Sequence, residues 1–198
     1  MKHLLIIGRP GVGKTTLMKR LTQALRGCPI DGFLTEELRE QGTRMGLWLS
    51  PLDGRQVLLA HRHLPTTAGK DGGIRVGPYH VNVSVLDGVA VEVVRRGVQQ
   101  ARVLFLDELG TMELSSSVFA QAVQHAFNRG PSIVATAGVA PLPLLSALKQ
   151  RKDVEVVPLS MSNRAMIEEE LTARLRALCA EEAAIQALER QADRIADL

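Results

Sequence analysis

The chain has 198 residues and a mass of 21.5 kDa, which fits one domain, or one domain with a short appendage. Its hydrophobic fraction of 45% and charged fraction of 23% exclude global disorder. A net charge of only +3 does not indicate a polybasic surface for DNA or membranes, and an aromatic content of 3% disfavours a protein that stacks single-stranded bases.

The N-terminal part of the sequence predicts a strand, a glycine-rich turn and a helix, over residues 3–7, 8–13 and 14–26. Short apolar segments separated by glycines then indicate the strands of a meander or hairpin. These segments are residues 33–34, 47–49 and 57–59. Residues 61–79 have no clear period and predict a long, mobile loop. The alternation over residues 79–85 predicts a strand with Val81, Val83 and Val85 on one face.

Strands and helices alternate through the rest of the chain. Asp87 is expected to cap a helix that runs to about Ala101. The later predicted strands are residues 103–106, 132–137 and 154–157, and the later predicted helices are residues 115–128, 141–150 and 163–178. The alternation predicts an α/β fold, a three-layer sandwich with a mostly parallel sheet, in which residues 30–79 form an antiparallel insertion at one edge.

A helical tail, residues 179–198, is predicted to follow a domain of residues 1–178. The tail is rich in Ala, Glu and Arg, and its apolar side chains recur at helical spacing. We expect this helix to pack on its own domain, with self-association or disorder as the alternatives.

The cysteines and the N-terminus bear on the compartment. Cys28 and Cys179 are far apart and form no C-x-x-C motif, which favours a reducing environment. The apolar run that ends at Ile7 is too short for a signal peptide or a membrane span. The sequence therefore predicts a cytoplasmic protein with no membrane partner and gives no indication of nucleic-acid binding.

Residues 8–15 fit the phosphate-binding pattern G-x-x-x-x-G-K-[ST], between a predicted strand and a predicted helix. Backbone N–H groups can converge on a triphosphate only where bulky side chains are absent, and the glycines of this loop permit that wrapping. The helix N-terminus that follows also favours an anion. We expect Lys14, as a catalytic residue, to reach the β- and γ-phosphates, and Thr15 to hold Mg²⁺ through its hydroxyl. The predicted nucleotide-binding residues here are Gly8, Arg9, Pro10, Gly11, Val12, Gly13, Lys14, Thr15 and Thr16.

Two carboxylates, Asp107 and Glu108, directly follow the predicted strand 103–106. A charge at that end of a core strand is costly unless it has a function, and ligands bind at that edge of open α/β sheets. Asp107 is therefore predicted to complete the Mg²⁺ site opposite Thr15, and Glu108 to polarise an attacking water as a second catalytic residue. The alternative is that one of the carboxylates caps the turn at Gly110.

The phosphate loop together with the segment Asp-Glu-Leu-Gly-Thr-Met-Glu, residues 107–113, resembles the THEP1 family of small P-loop nucleoside-triphosphatases. Further matches are Gly32-Phe33-x-Thr35-Glu36-Glu37, Gly42-x-Arg44-x-Gly46, Gly77-x-Tyr79-x-Val81 and Asn163-Arg164. The resemblance covers about residues 1–176 and implies a P-loop NTPase fold and Mg²⁺-dependent hydrolysis of nucleoside triphosphates, with loose base preference. Two positions depart from the family pattern, since Gly138 stands where a histidine is frequent and Leu47 where an aromatic residue is frequent.

Two polar residues outside these motifs are candidates for the site, each with an alternative. Thr136, at the end of a core strand, either senses the γ-phosphate or is a buried threonine bonded to backbone. Asn163, next to Arg164, either contacts the base or caps a helix. Glu36 and Glu37 either line the cleft or, for Glu37, form an exposed pair with a neighbouring arginine.

One cation is expected to neutralise charge in the transition state, and the sequence does not choose among the candidates. They are Arg44, Arg62, Lys70, Arg75 and Lys149. His61 and His63 are expected to be loop residues, because the spacing places no third metal ligand near them.

Hydrolysis of ATP, GTP and other nucleoside triphosphates is the function that these motifs favour. One alternative is a kinase that transfers the γ-phosphate to a small hydroxyl compound, with residues 61–79 as a lid. The other is a nucleotide-dependent switch that binds a partner through its tail. The sequence contains neither a plain aromatic clamp for a base nor an Asn-Lys-x-Asp guanine reader, which agrees with loose base selectivity.

Overall fold

The computed structural model describes residues 3–64 and 74–196, with side chains described as far as residue 181. The described residues form one nine-stranded sheet in the order β5-β6-β4-β3-β2-β7-β8-β1-β9. The strands are β1 (His3–Ile7), β2 (Ile30–Glu40), β3 (Thr43–Pro51), β4 (Val57–His61), β5 (Arg75–Val76), β6 (Tyr79–Val81), β7 (Val103–Leu106), β8 (Ser132–Ala137) and β9 (Val154–Pro158).

Five strands make the parallel part of the sheet. β1 lies between β8 and β9 and pairs parallel with both, and β7 joins β8 to β2 in the same direction. All four residues of β7 are fully buried, which is why its sequence is continuously apolar rather than alternating. The carboxyl ends of β1, β7 and β8 therefore meet at one edge, and the strands predicted from the three later apolar runs are confirmed.

The antiparallel part of the sheet begins inside β2. Residues 30–33 pair parallel with β7, whereas residues 33–40 pair antiparallel with β3. β4, β6 and β5 continue the antiparallel meander to the edge. The predicted insertion at residues 30–79 thus starts too early, because the first residues of β2 belong to the parallel core. Of the loop predicted over residues 61–79, residues 65–73 lie outside the described residues, and Arg75–Val76 form β5 rather than loop.

The helices are α1 (Lys14–Ala24), α2 (Val83–Val85), α3 (Val91–Gln100), α4 (Ser117–Arg129), α5 (Pro143–Lys149) and α6 (Arg164–Ala196). A π-helical turn, Leu86–Ala90, joins α2 to α3, and a 3₁₀ turn, Glu113–Ser115, precedes α4. α6 continues through residue 179 without a break, so the helix predicted to end at Leu178 and the predicted tail helix are one element. No helix in the described part of the chain combines the length and apolarity needed to cross a membrane.

Two predictions around Asp87 were wrong. The strand predicted over residues 79–85 ends at Val81, and Val83 and Val85 belong to α2. Alternation over so few residues does not separate a strand from the first turn of a helix. Asp87 does not cap the helix, since it lies within the π-helical turn and accepts a hydrogen bond from the hydroxyl of Ser116. Ser116 in turn caps α4 by accepting from Phe119 N at 2.9 Å.

The helices cover both faces of the sheet and enclose two apolar clusters. One cluster packs α3, α4 and α5 against one face and includes Phe33, Phe119 and Phe127. The other packs α1 and α6 against the opposite face and includes Leu21 and Leu175. This three-layer α/β arrangement, predicted from the alternation of elements, is confirmed.

A disulfide between Cys28 and Cys179 ties the chain just after α1 to α6. The bond spans 151 residues of sequence. The wide spacing of the two cysteines in the sequence did not predict this bond, because it is the packing of α1 on α6 that brings the two positions together.

Candidate active site

The phosphate loop lies between β1 and α1 at the carboxyl edge of the parallel strands. Gly13 has a φ of 101°, a left-handed conformation that side chains rarely adopt, and the next residue begins α1. Lys14 is buried, and its Nζ donates a hydrogen bond to Gly8 O at 3.1 Å. The ammonium group is thus folded back over the loop, with its charge at the centre of the predicted cradle.

Asp107 is fully buried at the end of β7. One carboxylate oxygen, Oδ1, accepts a hydrogen bond from the hydroxyl of Thr136 on β8. Burial raises the pKa of Asp107 to about 6, while hydrogen bonding with Thr136, Thr15 and the backbone of Thr35 acts in the opposite direction. Oδ2 is buried, and no donor among the described residues meets the distance and angle limits of a hydrogen bond to it.

This arrangement fits a magnesium site. The hydroxyl of Thr15 lies near enough to the Asp107 carboxylate to lower its pKa, so the two predicted metal ligands share one location. An unpartnered, buried carboxylate oxygen beside a hydroxyl offers the hard oxygen ligands that Mg²⁺ prefers. Among the described residues, no three His, Cys, Asp or Glu side chains are grouped in a way that could hold a metal ion by themselves. His61, predicted to be a loop residue, is the last residue of β4.

Glu108 faces the opening of the site. Its side chain is 31% exposed, in contrast to that of Asp107, and its Oε2 lies 3.4 Å from Lys14 Nζ. Gly138 follows β8 beside it, and a Cβ at that position would lie 3.4 Å from Glu108 Oε1. The absence of a side chain at residue 138 therefore leaves room around the carboxylate for a small molecule such as water.

Glu113 is a third carboxyl group in the site. It is the last residue of the segment 107–113, and the sequence alone predicts no role for it. It is buried, and its Oε2 accepts a hydrogen bond from Gly110 N at 3.1 Å. Burial raises the pKa of Glu113 to about 8, and the nearby charge of Glu108 adds to the rise. At neutral pH Glu113 is mostly a neutral acid, so it adds little negative charge to the site.

A cleft of about 650 Å³ joins the phosphate loop to the hairpin of β2 and β3. Its floor includes Lys14, Thr15, Glu108 and Glu113. Its opposite wall carries a set of charged side chains from α1 and the hairpin, which are Lys19, Glu36, Glu37, Arg39 and Arg44. Glu36 and Glu37 thus line the cleft as predicted, and Glu37 also forms the predicted pair with Arg39.

For two of the secondary candidates, the side-chain hydrogen bonds differ from the structural alternative, whereas their contact with a nucleotide stays a prediction. Thr136 bonds a carboxylate rather than backbone, since its hydroxyl donates to Asp107. Asn163 Oδ1 accepts from Ser160 N at 2.8 Å, and its amide donates to Pro158 O at 2.9 Å. The Asn163 side chain therefore holds the loop between β9 and α6 and does not bond the amide groups of the helix.

The site and the fold match proteins of one family. The sequence profile of a family described as NTPase matches residues 3–172. Nucleoside-triphosphatase THEP1 from Thermotoga sp. (strain RQ2) is 38% identical over 173 residues, which cover 87% of this chain and 95% of that protein. A cancer-related nucleoside-triphosphatase from Homo sapiens is 37% identical over 173 residues, which cover 82% of this chain and 90% of that protein.

Two solved structures have the same fold. The crystal structure of THEP1 from Aquifex aeolicus superposes with a TM-score of 0.74 at 30% identity, over 85% of this chain and 96% of that one. The solution structure of a human cancer-related nucleoside triphosphatase gives a TM-score of 0.75 at 34% identity, over 89% of this chain and 98% of that one. With the phosphate loop, the buried aspartate and the shared architecture in place, the chain belongs to the THEP1 family of P-loop NTPases.

Proposed function

We propose that this protein is a Mg²⁺-dependent nucleoside-triphosphatase that hydrolyses ATP, GTP and other nucleoside triphosphates to the diphosphate and phosphate. The observation that carries the proposal is the convergence of Lys14, Asp107 and Glu108 on one edge of the sheet, with Lys14 Nζ 3.4 Å from Glu108 Oε2. The names of the relatives support the same activity.

The phosphate loop and Lys14 bind the triphosphate. The N–H groups that begin α1 and the ammonium of Lys14 supply positive charge where the β- and γ-phosphates lie. Thr15 and Asp107 would hold Mg²⁺, which when bound supplies neutralising charge to the phosphate oxygens. The hydrogen bond from Thr136 fixes the Asp107 carboxylate in the position that this role requires.

Glu108 orients the attacking water. Its partly exposed carboxylate can accept a proton from a water that attacks the γ-phosphorus, and the bond from the γ-phosphorus to the bridging oxygen then breaks. The bridging oxygen leaves with its electron pair on the nucleoside diphosphate. Because Glu113 is neutral at pH 7, the cleft avoids a further charge that would repel the triphosphate.

Loose base preference is part of the proposal. The strands on both sides of β1 end beside the phosphate loop, since Gly8 N donates to Ala137 O at 3.3 Å and Gly8 lies against Leu159. Val139 follows β8 and Met161 follows β9, and the two side chains are 62% and 64% exposed. Apolar side chains beside the loop can pack on the face of any base and do not read its hydrogen-bonding edge.

Phosphate release from ATP, GTP, CTP and UTP, with and without Mg²⁺, tests the proposal. We expect all four to be hydrolysed, and Lys14→Ala and Glu108→Gln each to lower kcat by at least 100-fold. Glu92→Gln, an exposed change on α3, is the matched control and should leave kcat unchanged. Wild-type protein that releases no phosphate, or full activity of Glu108→Gln, would refute hydrolysis. A phosphorylated acceptor formed in step with the diphosphate would identify a kinase instead.

A further inference from the structure

We propose that Arg44, on β3, is the cation that contacts the γ-phosphate as it is transferred to water. The inference rests on the proposed hydrolysis and assigns one further residue to it. Arg44 lines the same cleft as Lys14 and Glu108, and its Nε has no hydrogen-bond partner among the described residues.

Three cations line the cleft outside the phosphate loop, and two of them are engaged in short ion pairs. Lys19 Nζ lies 2.8 Å from Glu36 Oε2. Arg39 donates from Nε to Glu37 Oε2 at 2.8 Å and from Nη1 to Gly42 O at 2.9 Å. Either side chain would have to give up these bonds before it could bind a phosphate oxygen.

Arg44 differs from both. Its nearest carboxylate atom, Glu37 Oε1, lies 3.5 Å from Nη1, which is longer than a well-formed charged hydrogen bond. Its Nε is buried and donates no hydrogen bond to the described residues. A buried guanidinium donor without an acceptor is costly, and an anion in the cleft would satisfy it.

The side chain is nevertheless held in place. The guanidinium carbon of Arg44 lies 5.3 Å from the centroid of the Tyr79 ring, within the range of a cation–π contact. The Tyr79 hydroxyl also donates to Arg44 O at 3.4 Å. Stacking orients the guanidinium plane without using its N–H groups, so the donors remain available to an incoming ligand.

The other candidate cations that the structure describes do not line this cleft. Arg62 stacks on Tyr79 at 5.6 Å, Arg75 bonds Gly77 O at 3.1 Å, and Lys149 belongs to α5. Lys70 lies outside the described residues. Of the candidates that the structure describes, Arg44 alone combines a place in the cleft with a guanidinium donor, Nε, that has no hydrogen-bond partner among the described residues.

The chemistry asked of Arg44 is charge stabilisation. Negative charge grows on the oxygens around the γ-phosphorus and on the bridging oxygen as water attacks and the diphosphate leaves. Arg44 takes no proton, because a guanidinium stays charged throughout the accessible pH range, and the proton of the water passes through Glu108 to solvent or phosphate. A planar group with several donors can bind two phosphate oxygens at once.

Arg44→Ala and Arg44→Lys test the inference, with Arg62→Ala as the control because Arg62 shares the Tyr79 ring but not the cleft. We expect Arg44→Ala to lower kcat at least 100-fold while the Kd for a non-hydrolysable triphosphate changes less than threefold. Arg44→Lys keeps the charge and the packing stem, and should recover less than a tenth of the wild-type kcat. Arg62→Ala should retain wild-type kcat.

A second readout separates a chemical role from a structural one. Aluminium fluoride with Mg²⁺ and a nucleoside diphosphate mimics the transferring phosphoryl group, and it should bind wild-type protein and Arg62→Ala but not the Arg44 variants. The inference fails if both Arg44 variants keep kcat within threefold of wild type, or if they lose only triphosphate affinity. Wild type and Glu108→Gln are measured alongside the Arg44 variants. If only Glu108→Gln loses activity, the role of Arg44 is refuted and the proposed hydrolysis stands. If the wild-type protein itself is inactive, the proposed hydrolysis is refuted.

Discussion

Breaking the Cys28–Cys179 disulfide should lower the free energy of unfolding without disturbing the active site. The bond closes a loop of 151 residues, which contains nearly all of the sheet. In the chain-entropy account, a cross-link of that span reduces the freedom of the unfolded chain by about 5 kcal/mol at 25 °C. For a domain of this size such a change corresponds to about 10–20 °C in Tm.

Other contacts between α1 and α6 limit the effect in the folded state. Arg20 Nη1 lies 2.7 Å from Glu168 Oε2, and Arg176 Nε donates to Ala24 O at 3.2 Å. The two helices also share one apolar cluster, so the reduced protein keeps its native packing. We therefore expect the loss to come from a larger unfolded-state entropy rather than from a disrupted interface.

Urea unfolding of the oxidised and reduced protein measures the difference. Reduction should lower the midpoint of the wild type and have no effect on a Cys28→Ser, Cys179→Ser double variant, which should resemble the reduced wild type. Phosphate release should be the same in all three, because neither cysteine lines the cleft. Two alkylatable thiols in unreduced protein, or equal midpoints before and after reduction, would show the reasoning to be wrong.

Three further substitutions test the carboxyl groups and the sheet. The pKa of Glu113 is about 8 in the folded protein and 4.5 in the unfolded chain. As pH rises from 4.5 to 8, the free energy of unfolding therefore falls, by at most about 5 kcal/mol from this group. Glu113→Gln should flatten the pH dependence of urea unfolding in that range. Thr136→Val removes the hydroxyl that donates to Asp107, and it should lower the free energy of unfolding by about 1–3 kcal/mol. The decrease should be larger at pH 8 than at pH 5, because the ionised carboxylate accepts the stronger hydrogen bond. Gly32→Ala should lower Tm by more than 10 °C in calorimetry, because its Cβ would lie 2.0 Å from Phe105 O, and a variant that melts like wild type would contradict that close approach.

The part of the site that depends on local sequence could be predicted. The phosphate loop is set by glycine positions within eight residues, and Asp107 and Glu108 are placed by the apolar strand directly before them. Neither prediction needs a partner from elsewhere in the chain, because the end of a buried parallel strand already defines the ligand edge.

The features that depend on tertiary packing could not be predicted. In the sequence, Arg44 is one of five candidates for the cation that neutralises charge in the transition state. Only the hairpin of β2 and β3 shows that it lies on the cleft wall. The contact between Cys28 and Cys179 exists only because α1 packs on α6. Asp87 looked like a helix cap in isolation, and its actual partner, Ser116, lies 29 residues further along the chain.

Asp107, Glu108 and Glu113 place three carboxyl groups in a site that is proposed to bind a negatively charged triphosphate. Such a site can bind the triphosphate only if the environments of the three groups differ. Asp107 is buried, and its Oδ2 has no hydrogen-bond partner among the described residues. A cation beside this oxygen would favour the ionised form of the carboxylate. Glu108 is open to the cleft and close to Lys14, so its charge is offset and it can reach water. Glu113 is buried, and this burial raises its pKa to about 8, so that it is mostly neutral at pH 7. If all three were charged and exposed, their combined repulsion would oppose binding of the triphosphate. Burial thus separates the three groups into a metal ligand, a base for water and a neutral acid, although their side chains are nearly the same.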